Sequence, residues 1–503
     1  MSDATFRPAD FDKYTIVTTT GTNNGVAGAG TVANTSVEHG GSTYGTGWLA
    51  INPNSTNLDL NYYEADPAGS ETVTIQTLFA PDAQTPNEQA VATYIDQYIN
   101  PSNANVPPDI ASALANLSLQ SPGEIALLLN GLTPQAYAGL ADEAFQNSTF
   151  LNQEVFTQVQ QTFQEPGFNT SGLTLLNSSD QNPFAISMES QMKSAQQQAA
   201  NSMAYMDAAP DAGSDDDSSY EPGTSGLGGF VLGTITIDKQ ANNGSYSQRD
   251  TTGGVLAGLD YTLNRNLVVG AFFNWGYTGG TVDNFNSGQE NNSYTPGLFV
   301  GYQKQNFYVN ALMSYTYNAY KINRNIAIPG SASVATGEPD SNQYDAALLA
   351  GYNVISFNGL KLGPAAGVGF TQMNLSGINE TGSPFDLSVS KQHADSLRTL
   401  LGAQGSYTFN IQQSPLPISL NADAFWQHEC LDSARGITSS FSEISGGQFL
   451  YNTPESSRNS ALLGVGASGY LAQGVSLFVN YQTQIGGQGQ FAQTVMAGVA
   501  VSF

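Results

Sequence analysis

The chain has 503 residues, with 14 Lys+Arg against 41 Asp+Glu, a formal net charge of −27; only 11% of residues are charged, against about 25% in ordinary soluble domains. That balance excludes a nucleic-acid partner, which requires a basic stripe for phosphate, and the scarcity of charge excludes a highly charged helical bundle. The polar content is Asn, Gln, Ser, Thr and Gly, as suits an exported, β-rich protein that uses Gly at bends.

A single cysteine, Cys430, excludes a disulfide framework or a Cys-based zinc site within one chain. No run of about 18 apolar residues is present, so no transmembrane helix is expected. The start, Met1-Ser2-Asp3-Ala4-Thr5-Phe6, has neither a basic n-region nor an apolar h-region, so a leader is expected to be absent or already removed.

Taken in chain order, residues 1 to about 90 are rich in Gly, Thr, Asn and Val. Extended candidates such as Leu58–Tyr63 and Thr72–Leu78 are separated by turn clusters, which predicts all-β structure. From Thr85 the texture becomes helical, over Glu88–Ile99 and Pro108–Phe163. Pro122 and Gly131 bracket one short helix and Pro134 lies at the start of the next, in which Ala136, Ala138, Leu140, Ala141 and Phe145 recur at helical spacing. Met188–Met206 is a further helix candidate, rich in Gln and Ala. Asp207–Ser225, with Asp211, Asp215, Asp216, Asp217, Glu221 and two prolines, reads as an acidic linker. No Lys or Arg occurs from Tyr14 to Met192, so residues 1 to 227 carry −22 of the net charge and residues 228 to 503 only −5.

From Gly228 to Phe503 apolar residues alternate with small or polar ones at period 2. The odd positions Phe491, Val495, Ala497, Val499, Val501 and Phe503 are apolar; so are the even positions Ile418, Leu420, Ala422, Ala424 and Trp426. Twelve such segments start near Gly229, Gly253, Leu267, Tyr294, Phe307, Asn342, Leu360, Leu397, Ile418, Ser460, Val475 and Phe491. Tight connections (Asn264-Arg265-Asn266, Gln305-Asn306, Phe357-Asn358-Gly359, Ala472-Gln473-Gly474) alternate with long polar ones, around 279–292, 321–341, 374–394 and 431–457. This predicts a twelve-stranded antiparallel transmembrane β-barrel with both ends on one side. Lipid offers no hydrogen bonds, so the outer face is apolar and the sheet must close. The lumen face can be polar, and Asp260, Asp345, Arg398, Asp423, Glu429 and Arg458 are expected on it. Tyr261, Trp275, Tyr277, Tyr302, Tyr315, Tyr317, Tyr407 and Trp426 lie near strand ends, as interfacial girdles require.

Asp395–Ala403, Ala424–Glu429 and Arg458–Gly466, in that order and spacing, together with Thr252–Tyr261 and the aromatic C-terminus, resemble the translocator β-domain of bacterial autotransporters (type V secretion). Upstream, Thr85–Ala92 and Leu132–Ala138 are similar to the junction between a β-helical passenger and the barrel. The resemblance implies residues 1–90 as the tail of a β-helix-like passenger, 91–185 as a helical junction, 186–227 as a pore-threading helix and acidic linker, and 228–503 as the barrel. Gln191, Ala195, Ala199 and Ser202 would line the pore helix. Phe503 would belong to the signal read by the barrel-assembly machinery, and periplasmic chaperones would attend export. The implied protein is a monomer in the outer membrane that exports and anchors its own passenger, whose ligand is not legible. Two alternatives stand beside it: a stand-alone porin with an N-terminal plug domain, and a surface adhesin in which the barrel is only the anchor.

Enzymatic chemistry has little support. Gly464-Val465-Gly466-Ala467-Ser468-Gly469 matches a dinucleotide fingerprint as a string but lies within an alternating strand, so no cofactor is expected. His39, His393 and His428 lack metal spacing, and Asp215–Asp217 lacks the glycine and terminal glutamate of a calcium loop, so no metal is expected. No Gly-x-Ser-x-Gly elbow occurs. Some autotransporters cut themselves at paired asparagines of the pore helix; here Asn201, followed by Ser202, is a single candidate, and Asp423 and Glu429 are expected to pair with Arg398 or Arg458 instead.

Overall fold

The structure, a computed structural model, describes strands at 13–18, 36–39, 42–45, 58–65 and 70–77, then residues 78–99, 106–163 and 226–502 apart from 243–245, 283–286, 411–416, 432–433, 456, 473 and 488. The five upstream strands pair antiparallel; the parallel pairing of a β-helix coil is not among the described strands.

Twelve strands close into one antiparallel barrel: β1 Gly226–Asn242, β2 Tyr246–Asn264, β3 Leu267–Val282, β4 Ser287–Lys304, β5 Phe307–Ile326, β6 Asp340–Tyr352, β7 Leu360–Leu375, β8 Gln392–Asn410, β9 Pro417–Glu429, β10 Asn459–Ala472, β11 Val475–Gly486 and β12 Phe491–Ser502. β12 pairs with β1 from Phe491↔Lys239 to Ser502↔Gly228, so no edge faces the lipid. Each expected segment contains or adjoins one of these strands. The tight turns take the left-handed backbone they need: φ is 54° at Gln305, 48° at Asn358 and 80° at Gly359, and the Asn-Gly pair makes the two-residue hairpin between 355–357 and β7.

Outward residues such as Val231, Ile235, Val255, Leu259, Leu298, Met313, Leu401, Val465 and Val479 are exposed as a continuous apolar belt, and Tyr261, Trp275, Tyr277, Tyr302, Tyr317, Tyr407 and Trp426 lie on the same face. Among the described residues no helix is long and apolar enough to cross a membrane; the crossing is made by strands. The inner face is less uniformly polar than expected. Phe230, Leu256, Phe272, Phe299, Leu312, Leu400, Phe425, Leu462, Phe478 and Met496 form a buried apolar layer inside the barrel. The layer fits because glycines stand beside the rings: a Cβ at Gly258 would lie 2.3 Å from Phe230, and one at Gly297 2.2 Å from Phe272.

Four helices precede the barrel: α1 Pro86–Tyr98, α2 Pro108–Ser118, α3 Pro122–Gly131 and α4 Leu140–Thr162, with a 3-10 turn at Pro134–Tyr137. α1, α2 and α3 each begin with proline at the first helical position, where the missing N–H costs nothing. Thr85 and Glu88 close a capping box on α1, with Glu88 N–H donating to Thr85 Oγ1 (3.3 Å) and Thr85 N–H to Glu88 Oε2 (3.0 Å).

The long connections are ordered rather than merely polar. Ser333–Gly337 extends the barrel by pairing with the top of β5, and Ile378–Asn379, Leu387–Val389, Gly436–Phe441 and Phe449–Asn452 form a separate four-stranded sheet. A second core joins this sheet to the helices. It contains Val91, Tyr94, Ile95, Ile110, Leu114, Leu117, Ile125 and Leu129 from α1–α3, with Ile322, Ile326, Phe385, Leu387, Ile437, Phe441 and Phe449 from the strand tops and connections. Tyr94 stands 5.7 Å from Phe441 and 5.4 Å from Phe449, edge to face. Together they cap the long-loop mouth of the barrel.

Candidate functional site

The site is the barrel lumen and what fills it. The helix that occupies the lumen is α4, a segment the sequence assigns to the junction. Residues 188–206, expected to thread the pore, lie outside the described residues, and with them Gln191, Ala195, Ala199, Ser202 and the cleavage candidate Asn201. At 23 residues α4 is about 34 Å long, more than the roughly 25 Å height of an apolar belt.

The direction of α4 follows from its partners. At its N-terminal end Asp142 accepts from Arg435 Nη2 in the 431–457 connection (2.9 Å), and Glu143 accepts from Gln289 and from Asn291 Nδ2 (3.4 Å) near the top of β4. At its C-terminal end Gln160 Nε2 donates to Gln404 Oε1 (3.0 Å), and Val159 and Phe163 lie against Gly301, four residues before the Gln305 turn. The helix therefore enters at the long-loop mouth and ends at the short-turn mouth.

Between these ends the contacts are polar on one side and apolar on the other. Ser148 Oγ donates to Asp345 Oδ1 (2.8 Å), as does Thr371 Oγ1 (2.7 Å), while Gln343 Nε2 donates to Asp345 Oδ2 (2.9 Å). Arg398 Nη1 donates to the Phe145 carbonyl (2.8 Å) and to Thr149 Oγ1, and Nε donates to Glu429 Oε2 (3.2 Å). Phe145 is held between two guanidinium groups, 5.7 Å from Arg398 and 6.0 Å from Arg435. Further down, Phe150, Val155, Phe156 and Val159 pack on the apolar layer. Beside the last turns a polar cavity of about 60 Å³ remains, lined by Thr157, Gln160, Tyr308, Lys361, Gln404 and Asp423 among others. It has room for a few waters and not for a chain.

Of the residues expected on the lumen face, Asp260, Asp345, Arg398, Asp423 and Glu429 stand on the inner wall, and Glu429 pairs with Arg398. Arg458 does not. β10 begins at Asn459, so the ladder that imposes alternation has ended, and the Arg458 side chain is exposed while its carbonyl accepts from Glu429 N–H (2.8 Å). Arg435, in a connection where no alternation could mark it, supplies a cation at the long-loop end, and Lys361 lines the cavity at the short-turn end. His393 is exposed and bonded to Asn374 (2.8 Å), and His428 is half-buried and bonded to Asn459 (2.9 Å). His39 lies in a strand described by its backbone alone, and Phe503 lies outside the described residues.

At the base of the cap, Arg324 and Glu380 form an ion pair whose side chains are 1% and 0% exposed. Arg324 Nε (3.0 Å) and Nη2 (2.5 Å) donate to Glu380, Nη1 to the carbonyl of Gly131 at the end of α3 (2.9 Å) and Nη2 to the Phe385 carbonyl (2.6 Å). Glu380 also accepts from Tyr137 O–H (2.7 Å) and Leu387 N–H (2.7 Å). Burial beside this carboxylate pushes the Tyr137 hydroxyl far above its usual range. In α1, burial pushes Asp96 up to about 6, although Phe79 N–H (2.8 Å) and Ala80 N–H (3.0 Å) donate to it.

A closed, lipid-facing barrel with long loops on one rim and a helix through its lumen defines a plugged outer-membrane β-barrel. The profile of the autotransporter β-domain matches residues 229–482, just over half of the chain, and the chain belongs to the autotransporter family. Its barrel is the translocator of that family, placed in the outer membrane. The translocator domain of the family is not itself an enzyme. Outer membrane protein A of Rickettsia conorii and that of Rickettsia rickettsii are each 26% identical over 280 residues, 53% of this chain but only 13% and 12% of theirs. The chain thus spans about an eighth of the length of these curated relatives. Among solved structures, the translocator domain of autotransporter NalP from Neisseria meningitidis is 15% identical with a TM-score of 0.45, over 63% of this chain and 98% of that one. The transport unit of autotransporter AIDA-I from Escherichia coli is 15% identical with a TM-score of 0.41, over 58% and 93%.

Proposed function

We propose that the chain carries its own N-terminal part through the barrel and holds it at the cell surface, with α4 left in the lumen and α1–α3 closing the mouth from outside. The observation that carries this reading is the direction of α4. Its N-terminal end lies at the long-loop rim, which faces outward in barrels of this kind, so everything upstream of Leu140 belongs outside the cell. An epitope placed ahead of Lys13 should be labelled by antibody on intact cells. Labelling only after the outer membrane is permeabilised would instead indicate the periplasmic plug of a stand-alone porin.

The lumen assignment has its own test. Deleting 140–163 should raise single-channel conductance severalfold in planar bilayers, whereas deleting 186–224, the segment first expected in the pore, should leave it near that of the parent protein. Recognition by the barrel-assembly machinery through the C-terminal Phe503 belongs to the same proposal, and removing that residue should lower the amount of barrel recovered in outer membranes.

A further inference from the structure

Lys239 on β1 and Arg249 on β2 stand directly across from each other in the antiparallel register, and both are exposed on the outer face of the barrel. Residues so placed have Cβ atoms about 5 Å apart, a spacing at which like charges destabilise a sheet. Among the described residues neither side chain has an ion pair or hydrogen bond. Their chain neighbours Asp238 and Asp250 belong to the inward set. Glu290, an acid on the outward face, stands across from Gly279 and from Lys321, one strand beyond β3.

The height of the pair is set by the strand. Outward positions of β1 from Leu227 through Val231 and Ile235 to Ile237 are exposed and apolar. Those ten steps rise about 33 Å along the strand, or about 25 Å along the membrane normal at a tilt near 40°, which is the full height of an apolar belt. Lys239 is the next outward residue. The two cations therefore lie at headgroup level on the long-loop side. The row continues across the closing seam, Lys239↔Phe491↔Ile485, and both of these apolar side chains are exposed. A soluble anion would gain nothing from that flank, whereas an amphiphile would lay its chain along it.

We propose that Lys239 and Arg249 form a two-cation clasp for the phosphate of a phosphorylated lipid in the outer leaflet, whose acyl chain lies along Phe491, Ile485 and Ile237. One phosphate between the two groups converts a repulsive pair into two charge-assisted contacts, beside the seam where the last strand meets the first.

The test uses the full chain folded in a neutral detergent, titrated with bis-phosphorylated lipid A and followed by native mass spectrometry. The parent protein should retain the lipid, and Lys239→Gln/Arg249→Gln should bind at least about tenfold more weakly, a loss of about 1.4 kcal/mol or more. Dephosphorylated lipid A should bind the parent protein as weakly as the double variant binds the intact lipid. Lys304→Gln, at the opposite rim, should behave as the parent. Undiminished binding by the double variant, an equal loss in Lys304→Gln, or complete displacement of the lipid by inorganic phosphate in millimolar excess would overturn the proposal. Heat-modifiable gel migration confirms that each variant is a folded barrel.

Discussion

Replacing Arg324 by methionine should unfasten the cap from the barrel while leaving the barrel itself closed. Arg324 reaches four acceptor atoms in two separate pieces of chain: both carboxylate oxygens of Glu380 and the carbonyl of Phe385 in one connection, and the carbonyl of Gly131 at the end of α3. Methionine keeps much of the volume and removes every donor. Glu380, fully enclosed, keeps only Tyr137 O–H and Leu387 N–H, and the terminal carbonyl of α3 loses its cation. Removing one member of a buried pair costs about 3–5 kcal/mol, because an uncompensated charge stays behind. Since 1.36 kcal/mol is a factor of ten, amides of α1 and α3 should exchange with deuterium about a hundredfold to several thousandfold faster wherever cap opening controls exchange. The double variant Arg324→Met/Glu380→Leu removes both charges and should recover most of the loss, since an apolar replacement of a whole buried pair is often neutral. Barrel-strand amides serve as the internal control. If the single variant accelerates cap exchange by less than about tenfold, or if the double variant is worse than the single one, the buried pair is not what fastens the cap.

Three further outcomes are expected. Asp96 has a carboxyl raised from 3.8 to about 6, so the folded cap binds its proton more tightly than the unfolded chain does; stability is gained as pH falls through 6 and is lower by about 3 kcal/mol once pH is well above it. Hydrogen exchange in α1, corrected for intrinsic rates, should therefore be slower at pH 5 than at pH 7.5, and equal protection at both would contradict the assignment. Gly258→Ala, which sets a Cβ 2.3 Å from Phe230, should lower the urea midpoint of the barrel by an amount equivalent to about 1–3 kcal/mol; an unchanged midpoint would mean that the ring has room to move. Phe145→Leu keeps an apolar side chain but removes the ring between Arg398 and Arg435, at about 0.5–2 kcal/mol per cation–π contact, and should make plug-out openings in single-channel records several-fold more frequent.

The twelve strands were legible because a barrel wall separates two solvents, and each strand records that separation residue by residue: Val495 and Val499 face lipid while Thr494 and Met496 face inward. Met496 also shows why the lumen was misjudged. Interior positions need only fill space, and this barrel fills part of it with Phe230, Phe272 and Phe299. That α4 lies in the lumen was not legible for a related reason. α4 is buried by walls that are polar in part, so Glu143, Ser148, Gln153, Glu154 and Gln158 are as buried as Phe150, and the pattern of apolar residues does not mark which helix is enclosed. The lack of Lys and Arg suits its place beside Arg398 and Arg435, but that lack runs from Tyr14 to Met192 and does not single out α4. The cap was invisible because its core is assembled from pieces far apart in sequence. Phe441 and Ile437 read as scattered apolar residues in a long polar loop until Tyr94 and Val91 are brought to them.

The shared core of the cap makes its two halves depend on each other. Its apolar contacts join helices upstream of the lumen to the long connections between strands, so neither half can bury its side chains without the other. Withdrawing α1–α3 from the mouth would leave Phe385, Phe441 and Phe449 exposed to water. The mouth is thus shut by a core that neither the helices nor the connections can form alone.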